Sequence, residues 1–578
     1  TASDALTVNN NLTISGGTFT GPASGTISLG GNFSSSGTFT HNSGTVTMTG
    51  TTKTIGGSSN TTFNNLTISG TVTLTASSPT VNTTLTVDTS KSLTINSGLT
   101  VTLAANTGTN LVLNGTIDGA GTLTYKNTAT TFPTSGTVNS IVRFDTVNGN
   151  LTVPQRPFGG DLEAYGNTAN VRSVTLGTAG SQTITVTGSV KVITGTSQSQ
   201  ILTLVGATNN PTVTITSGIS YTKGGSATPA ITTGTGAWSA GGNVNLSNGT
   251  FTTSAGNTLI LNGTAQQTVT TNTQTFIGLT LNNTGTDGTA NDDIVISGTL
   301  DVNGTFTITD GQLRLDTNNP NVTTAGAVAI GANGSVTKGT GTWTFDGTTA
   351  ATYTDSSSAV QNIGAVTFNK TDTVAPATND KVTLVSSMTA DTVTIDGTAG
   401  QADTFDLGSS GYTLTLANAG ATATVLTISG TLTIGTSTIK YTATNSGGNV
   451  TINALSYSSL NLGPSSAETY DIAANQSASG TVTVDTNATM SIAVSVTFTH
   501  SGSTLTLNGT ISGAGTYVYQ SSTAFPTSGT ISSLLRFDAT NNSQTASART
   551  YGGAVEFYSN SSSAMRTAWM FEEMRAAY

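Results

Sequence analysis

The chain has 578 residues, of which only 8% are charged, far below the roughly 25% of an average soluble domain. Its formal net charge is −10, thinly spread and without a basic patch, which excludes nucleic acid as a partner. It contains 68 glycines and no cysteine, so disulfides and thiolate metal sites are excluded, and no apolar run approaches the roughly 20 residues that cross a bilayer.

From the N-terminus onward, short aliphatic bursts alternate with polar residues, as in Leu12-Thr13-Ile14, Val72-Thr73-Leu74 and Leu259-Ile260-Leu261. That alternation reads as strands and argues against disorder. Aromatic residues make up only 6%, so the expected core is thin and aliphatic. The run Asn11-Leu12-Thr13-Ile14-Ser15-Gly16-Gly17-Thr18-Phe19-Thr20 returns as Asn32-Phe33-Ser34-Ser35-Ser36-Gly37-Thr38-Phe39-Thr40. The unit is therefore about twenty residues long, with two or three strands separated by Gly, Ser and Asn corners.

Larger duplications lie over this unit. Residues 32–68 resemble 245–281, where Asn245-Leu246-Ser247 and Leu259-Ile260-Leu261-Asn262-Gly263 mark the second copy. Residues 111–165 resemble 505–558: Phe132-Pro133-Thr134-Ser135-Gly136 matches Phe525-Pro526-Thr527-Ser528-Gly529, and Arg143-Phe144-Asp145 matches Arg536-Phe537-Asp538. Thr208-Asn209-Asn210-Pro211 and Thr317-Asn318-Asn319-Pro320 each lead to a Gly-Thr-Gly-x-Trp turn, at Trp238 and Trp343.

One such unit cannot close a core, but stacked units can. The expected fold is all-β, a parallel β-helix (β-solenoid) with coils of about twenty residues, spanning 1–562 as one repetitive array. About 25 to 29 coils would stack at roughly 4.8 Å each. In-register stacking sets identical positions side by side, so it selects against charge and favours Thr, Val and Asn ladders. A string of immunoglobulin-like sandwiches fits less well, because the twenty-residue sub-repeat is too short for it. The tail 563–578 differs. Ala564-Met565-Arg566 through Glu573-Met574-Arg575 holds three of the six methionines, and its composition predicts a short C-terminal helix, a cap or a truncated end.

The Asn-Leu-Thr-Ile-Ser-Gly runs and Asn-Gly-Thr-Ile-x-Gly-Ala-Gly-Thr corners resemble the coils of filamentous-haemagglutinin and autotransporter-passenger proteins, repetitive bacterial surface proteins with Thr/Gly-rich β-helix repeats. The resemblance implies export, an extracellular, cell-surface location, and a structural or adhesive role with glycans, other cells or surfaces as partners. It carries over no catalytic residue. It also implies that the chain is part of a longer one.

His41 and His500 are the only histidines, each after a Phe-Thr pair, and are expected as solvated turn residues. The densest acidic region is Asp287, Asp292, Asp293, Asp301, Asp310 and Asp316. Asp292-Asp293 could hold calcium, but a solvated loop is the expected structure. A lyase or glycosidase needs converging carboxylates, and none stand out in sequence. Arg143 with Asp145, and Arg536 with Asp538, share a strand face and are expected as exposed ion pairs. Glu163 with Tyr165, and Glu556 with Tyr558, repeat with them. Thr-x-Thr pairs such as Thr18/Thr20, Thr38/Thr40 and Thr47/Thr49 raise ice binding as a further alternative. The reading is a non-enzymatic stalk or adhesin segment, without cofactor, metal or catalytic residues.

Overall fold

A computed structural model describes residues 5–371, 380–397, 403–538, 544–559 and 569–570. Two compact units divide the chain, Thr1–Asp301 and Val302–Tyr578. Each is a parallel β-solenoid, with coils of roughly 22 residues.

The unit coil is visible at Thr45–Met48, Lys53–Gly56 and Thr62–Ile68, three strands joined by corners. Each strand pairs in parallel with its equivalent one coil on. Leu29, Met48, Ile68, Val87 and Leu113 stand in one inward column. Phe63, Val81, Leu103, Tyr125, Phe144, Ala164, Val192 and Tyr221 form a second. These side chains are buried, and each aliphatic one contributes about 1.5–3 kcal/mol by leaving water. The residues between them face outward and are mostly Thr, Ser or Asn, which gives the alternation seen in sequence.

Coil length departs from the expected twenty. Steps run from 18 residues, Thr516 to Leu534, to 33 residues, Val393 to Leu426. Strands must keep their length to stay in register, so insertions collect in the corners. The asparagines that open the first two repeats, Asn11 and Asn32, have a structural cause. Asn11 Oδ1 accepts from Asn32 N–H (2.9 Å), and Asn32 Oδ1 in turn accepts from Thr54 N–H (2.9 Å). The corner glycines at Gly119 (φ 94°) and Gly513 (φ 100°) are held by geometry: a Cβ there would lie 2.3 Å from Ile95 O and 2.2 Å from Ile492 O.

The core is not purely aliphatic. The few rings are gathered inside. Tyr125, Phe132, Phe144 and Phe158 form one cluster, and Phe345, Phe368 and Phe405 a stack with centroids 5.2 and 4.1 Å apart. In-register stacking brings a ring onto its neighbour wherever consecutive coils both carry one, and such pairs add about 0.5–1.5 kcal/mol each.

In the second unit the strands Ser456–Tyr457, Gln476–Ala478, Thr497–His500, Thr516–Tyr519, Leu534–Asp538 and Val555–Tyr558 form one parallel sheet. The described residues contain two short 3-10 turns and no α-helix. Of the tail expected as a helix, residues 563–568 and 571–578 lie outside the described residues. Trp569–Met570 is a strand, paired in parallel with Thr545–Ala546. No helix among the described residues is long and apolar enough to cross a membrane.

Candidate functional site

The duplicated arginines do not form the expected exposed pairs within one strand. Arg143 Nε donates to Glu163 Oε2 (2.8 Å), one coil on, and its guanidinium lies 4.9 Å from the Tyr165 ring centre. Asp145 instead takes Lys126 Nζ at 3.3 Å and accepts from Val147 N–H. The second copy repeats this, with Arg536 on Glu556 (2.6 Å) and over Tyr558. The cause is distance. A neighbour across the sheet is about 4.8 Å away, whereas i and i+2 on one strand are nearly 7 Å apart. Charges thus alternate up the column Arg143, Glu163, Lys191 rather than converge.

The histidines part company. His41 lies at a corner, where its Nδ1 accepts from Ser43 N–H (3.1 Å). His500 is not a solvated turn residue; it is 0% exposed. Its Nε2 donates to Gly480 O (3.0 Å), and burial holds its pKa down at about 4. It ends the strand Thr497–His500 at an inward position, packed on Tyr519 (5.7 Å). It is therefore neutral at physiological pH and placed as a core residue.

The acidic residues are each engaged locally. Asp292 and Asp293 are buried rather than solvated, because the 3-10 turn Ala290–Asp292 folds them under its Thr289 cap. Burial raises the Asp292 carboxyl, helped by the charges of Asp293 and Asp287. Asp301 accepts from Thr275 Oγ1, Asp310 from Gly311 N–H, and Asp316 holds Arg314 through both carboxylate oxygens. Among the described residues no three His, Cys, Asp or Glu side chains are grouped to hold a metal ion.

Sequence reasoning missed three engaged cations, two of them buried and the third, Arg549, half-buried. Arg156 donates to Pro133 O, Ser135 O and Gly136 O, one coil back, and its guanidinium lies between the Phe132 and Phe158 rings. Arg549 does the same with Pro526 O, Ser528 O and Gly529 O, between Phe525 and Tyr551. The duplication itself carries the signal, since both arginines stand at one position of the repeated segment. Lys370, 2% exposed, donates to Ala325 O and Asp346 O. Burial lowers its pKa, against the carboxylates of Asp346, Asp403 and Asp380. Burial likewise pushes Asp403 up to about 7, with Asp380 and Asp396 adding to it, while Asp403 accepts from the backbone N–H of Lys370. Perturbed groups of this kind mark active sites and structural networks alike. Here the ammonium is spent on carbonyls of two earlier coils, which makes it a strut.

An open groove lies in the second unit. It encloses about 450 Å³ and is lined by Ala454, Leu455, Ser456, Asn475, Gln476, Ser477, Thr497 and Thr499. Ser456, Ser477 and Thr499 are in register on three successive coils. Asn475 Oδ1 accepts from Thr497 N–H (2.8 Å), which holds the groove wall. The lining carries no charge, so the groove can offer hydrogen bonds and a small apolar surface but no acid, base or metal ligand. Comparisons with protein-family models, with curated proteins and with solved structures find no match for this chain.

Proposed function

We propose that the chain is a non-enzymatic structural segment of an extracellular, bacterial cell-surface protein, a stalk that also offers a surface for adhesion. The observation that carries this reading is the neutral outward ladder. Thr7, Ser28, Thr47, Thr67 and Thr86 stand on consecutive coils, and Arg143, Glu163 and Lys191 alternate in sign from coil to coil. Such a repeating surface suits spacing and multivalent contact. The resemblance to filamentous-haemagglutinin-type coils supports the location. A depolymerisation screen of the purified chain on plant and microbial polysaccharides tests it. No product is expected, and product would sink the non-enzymatic part. Surface labelling of cells that make the protein tests the location.

Ice binding is the second reading, and one array favours it. Thr26/Ser28, Thr45/Thr47, Asn65/Thr67 and Thr84/Thr86 stand in register as paired columns over four coils. Coil steps there stay at 19 to 20 residues, Ile27 to Val46 and Val46 to Leu66, so the array is regular. Thermal hysteresis that vanished in Thr47→Tyr would support this alternative.

A further inference from the structure

One corner of the second unit sets the carboxyls of Asp346, Asp380, Asp396 and Asp403 around the single ammonium of Lys370. Register brings them there. Thr342–Phe345, Ala365–Phe368 and Thr392–Ile395 pair in parallel, so Asp346, Asn369 and Asp396 open the same corner on successive coils. Lys381 pairs with Thr404, which sets Asp380 and Asp403 at neighbouring positions one coil apart, about 4.8 Å at the strand spacing. Asp380 and Asp403 are buried, while Asp346 and Asp396 are half-buried. Lys370 directs its Nζ toward earlier coils, onto Ala325 O and Asp346 O. The other lysines of these coils are engaged elsewhere, Lys338 with Asp391 and Lys381 with Asp406 (2.6 Å). Of the strands on either side, Thr431–Thr433 carries no titratable group, and Ala351–Asp355 carries Tyr353 and Asp355 at its far end, where Asp355 accepts from Ser357 and Gln361 N–H.

Asp403 ties three coils together. Its Oδ1 accepts from the Lys370 backbone N–H (3.0 Å), and its backbone O accepts from Thr431 N–H (2.7 Å). Within its own coil it donates from N–H to Asp396 O (3.3 Å). Burial is the main reason its carboxyl keeps a proton up to about pH 7; the charges of Asp380 and Asp396 add to this, and the Lys370 N–H and ammonium oppose it. The ordinary value is 3.8. The folded coil therefore binds a proton that the unfolded chain does not, between about pH 4 and 7. The stability it contributes is full below that window and is lost as pH rises through it.

From this arrangement we infer that Asp403 is a proton-operated latch on the coils that carry Lys381–Leu384, Thr404–Asp406 and Thr431–Thr433, with Asp380 as the neighbouring charge that opposes its ionisation. Protonated, Asp403 leaves the buried corner with little net charge and the three coils stay closed. Ionised, it adds a carboxylate to a site whose one ammonium is directed at carbonyls of earlier coils, and the coils loosen. The sign is opposite to that at His500, where burial of an imidazole makes acid the loosening condition. The second unit thus holds two pH-responsive points, one that yields in acid and one that yields toward neutrality.

Hydrogen exchange of the full chain tests it, read by peptide as protection factors, which remove the intrinsic pH dependence of exchange. Protection over 380–384, 404–406 and 431–433 is expected to fall as pH rises, by up to about tenfold per unit between about pH 4 and 7, and to level off above. Peptides over Thr212–Ile215, in the first unit, are expected to show no such fall. Asp403→Asn keeps an oxygen for the Lys370 N–H and removes the ionisation, so protection is expected to stay flat across the window. Asp380→Asn removes the opposing charge, so Asp403 ionises more easily and the total fall is expected to shrink severalfold. Flat protection in the unaltered chain overturns the latch. A fall that persists in Asp403→Asn overturns it too, because other groups then carry the dependence. The unaltered chain and Asp380→Asn decide the matter even if Asp403→Asn does not fold: an undiminished fall in Asp380→Asn overturns the proposal.

Discussion

The two copies of the duplicated segment, 111–165 and 505–558, share a backbone plan and differ in what surrounds it. Both hold an arginine between two rings with its donors on the carbonyls of a Phe-Pro-Thr-Ser-Gly turn. Both set an Arg against a Glu one coil on. In the first copy Glu163 lies between Arg143 and Lys191, and its side chain is 6% exposed. In the second, the described residues place a strand on one side of Glu556 only, and its side chain is 40% exposed. Lys126 beside Asp145 is replaced by Gln520 beside Asp538 (2.8 Å), and Leu103 beneath Tyr125 by His500 beneath Tyr519. The same residues therefore differ in energetic weight, because a coil's interactions are set by the coils stacked on it.

The largest expected effect comes from the buried arginine. Arg156→Met leaves the turn carbonyls of residues 133, 135 and 136 without their donor, at a cost of about 3 kcal/mol. Arg549→Met is expected to cost less, because the Arg549 carbonyl partners are partly open to water. Hydrogen exchange resolved by segment reads both, and equal protection losses would break the comparison.

The next effect is pH-dependent and belongs to the coil beneath the second copy. His500 has its folded pKa lowered to about 4 from 6.5, by burial above all. Between those values the unfolded chain binds a proton that the folded coil does not. Stability near His500 therefore falls as pH drops from about 6.5 to 4, by up to about 3 kcal/mol, and is steady above 6.5. His500→Leu, which restores the residue of the first copy, is expected to flatten this acid limb. A limb that persists in the variant would assign it to other groups.

The fold was legible because period and alternation are local signals, and both survive in runs such as Asn11–Ile14. Charge pairing was not legible. The partner of Arg143 lies twenty residues away at Glu163, and the corner insertions vary the step, so no fixed offset predicts it. His500 was misread for a related reason. Its Ser-Gly neighbours signal a corner, but its own side chain occupies a column position set by Ala478 and Tyr519. The groove offered no motif either, because Ser456, Gln476 and Thr499 come together only through register. Arg156 could have been found, since its match with Arg549 is retained where nearby residues have changed.

Two smaller effects sharpen the comparison. Glu163→Gln removes the largely buried carboxylate that Arg143 is paired with, so a loss of about 2 kcal/mol is expected. Glu556→Gln, at a largely exposed pair, is expected to cost less than about 0.5 kcal/mol. Similar losses at the two sites, read by segment-resolved exchange, would mean that the stacked coil beyond Glu163 contributes nothing.

A small, salt-dependent effect is expected at Lys126. Its ammonium is 3.3 Å from Asp145, and both Arg143 and Glu163 stand on neighbouring positions of the same face. Lys126→Gln makes the first copy resemble the second, where Gln520 Nε2 donates to Asp538. A hydrogen bond replaces an ion pair there, so the expected loss is under about 1 kcal/mol. That loss is electrostatic and must shrink with salt, because at 1 M ionic strength the Debye length falls to about 3 Å. Gln520→Lys is the converse, a small gain at low salt that disappears at high salt. A loss in Lys126→Gln that salt did not reduce would show that the lysine acts through its methylene packing rather than its charge.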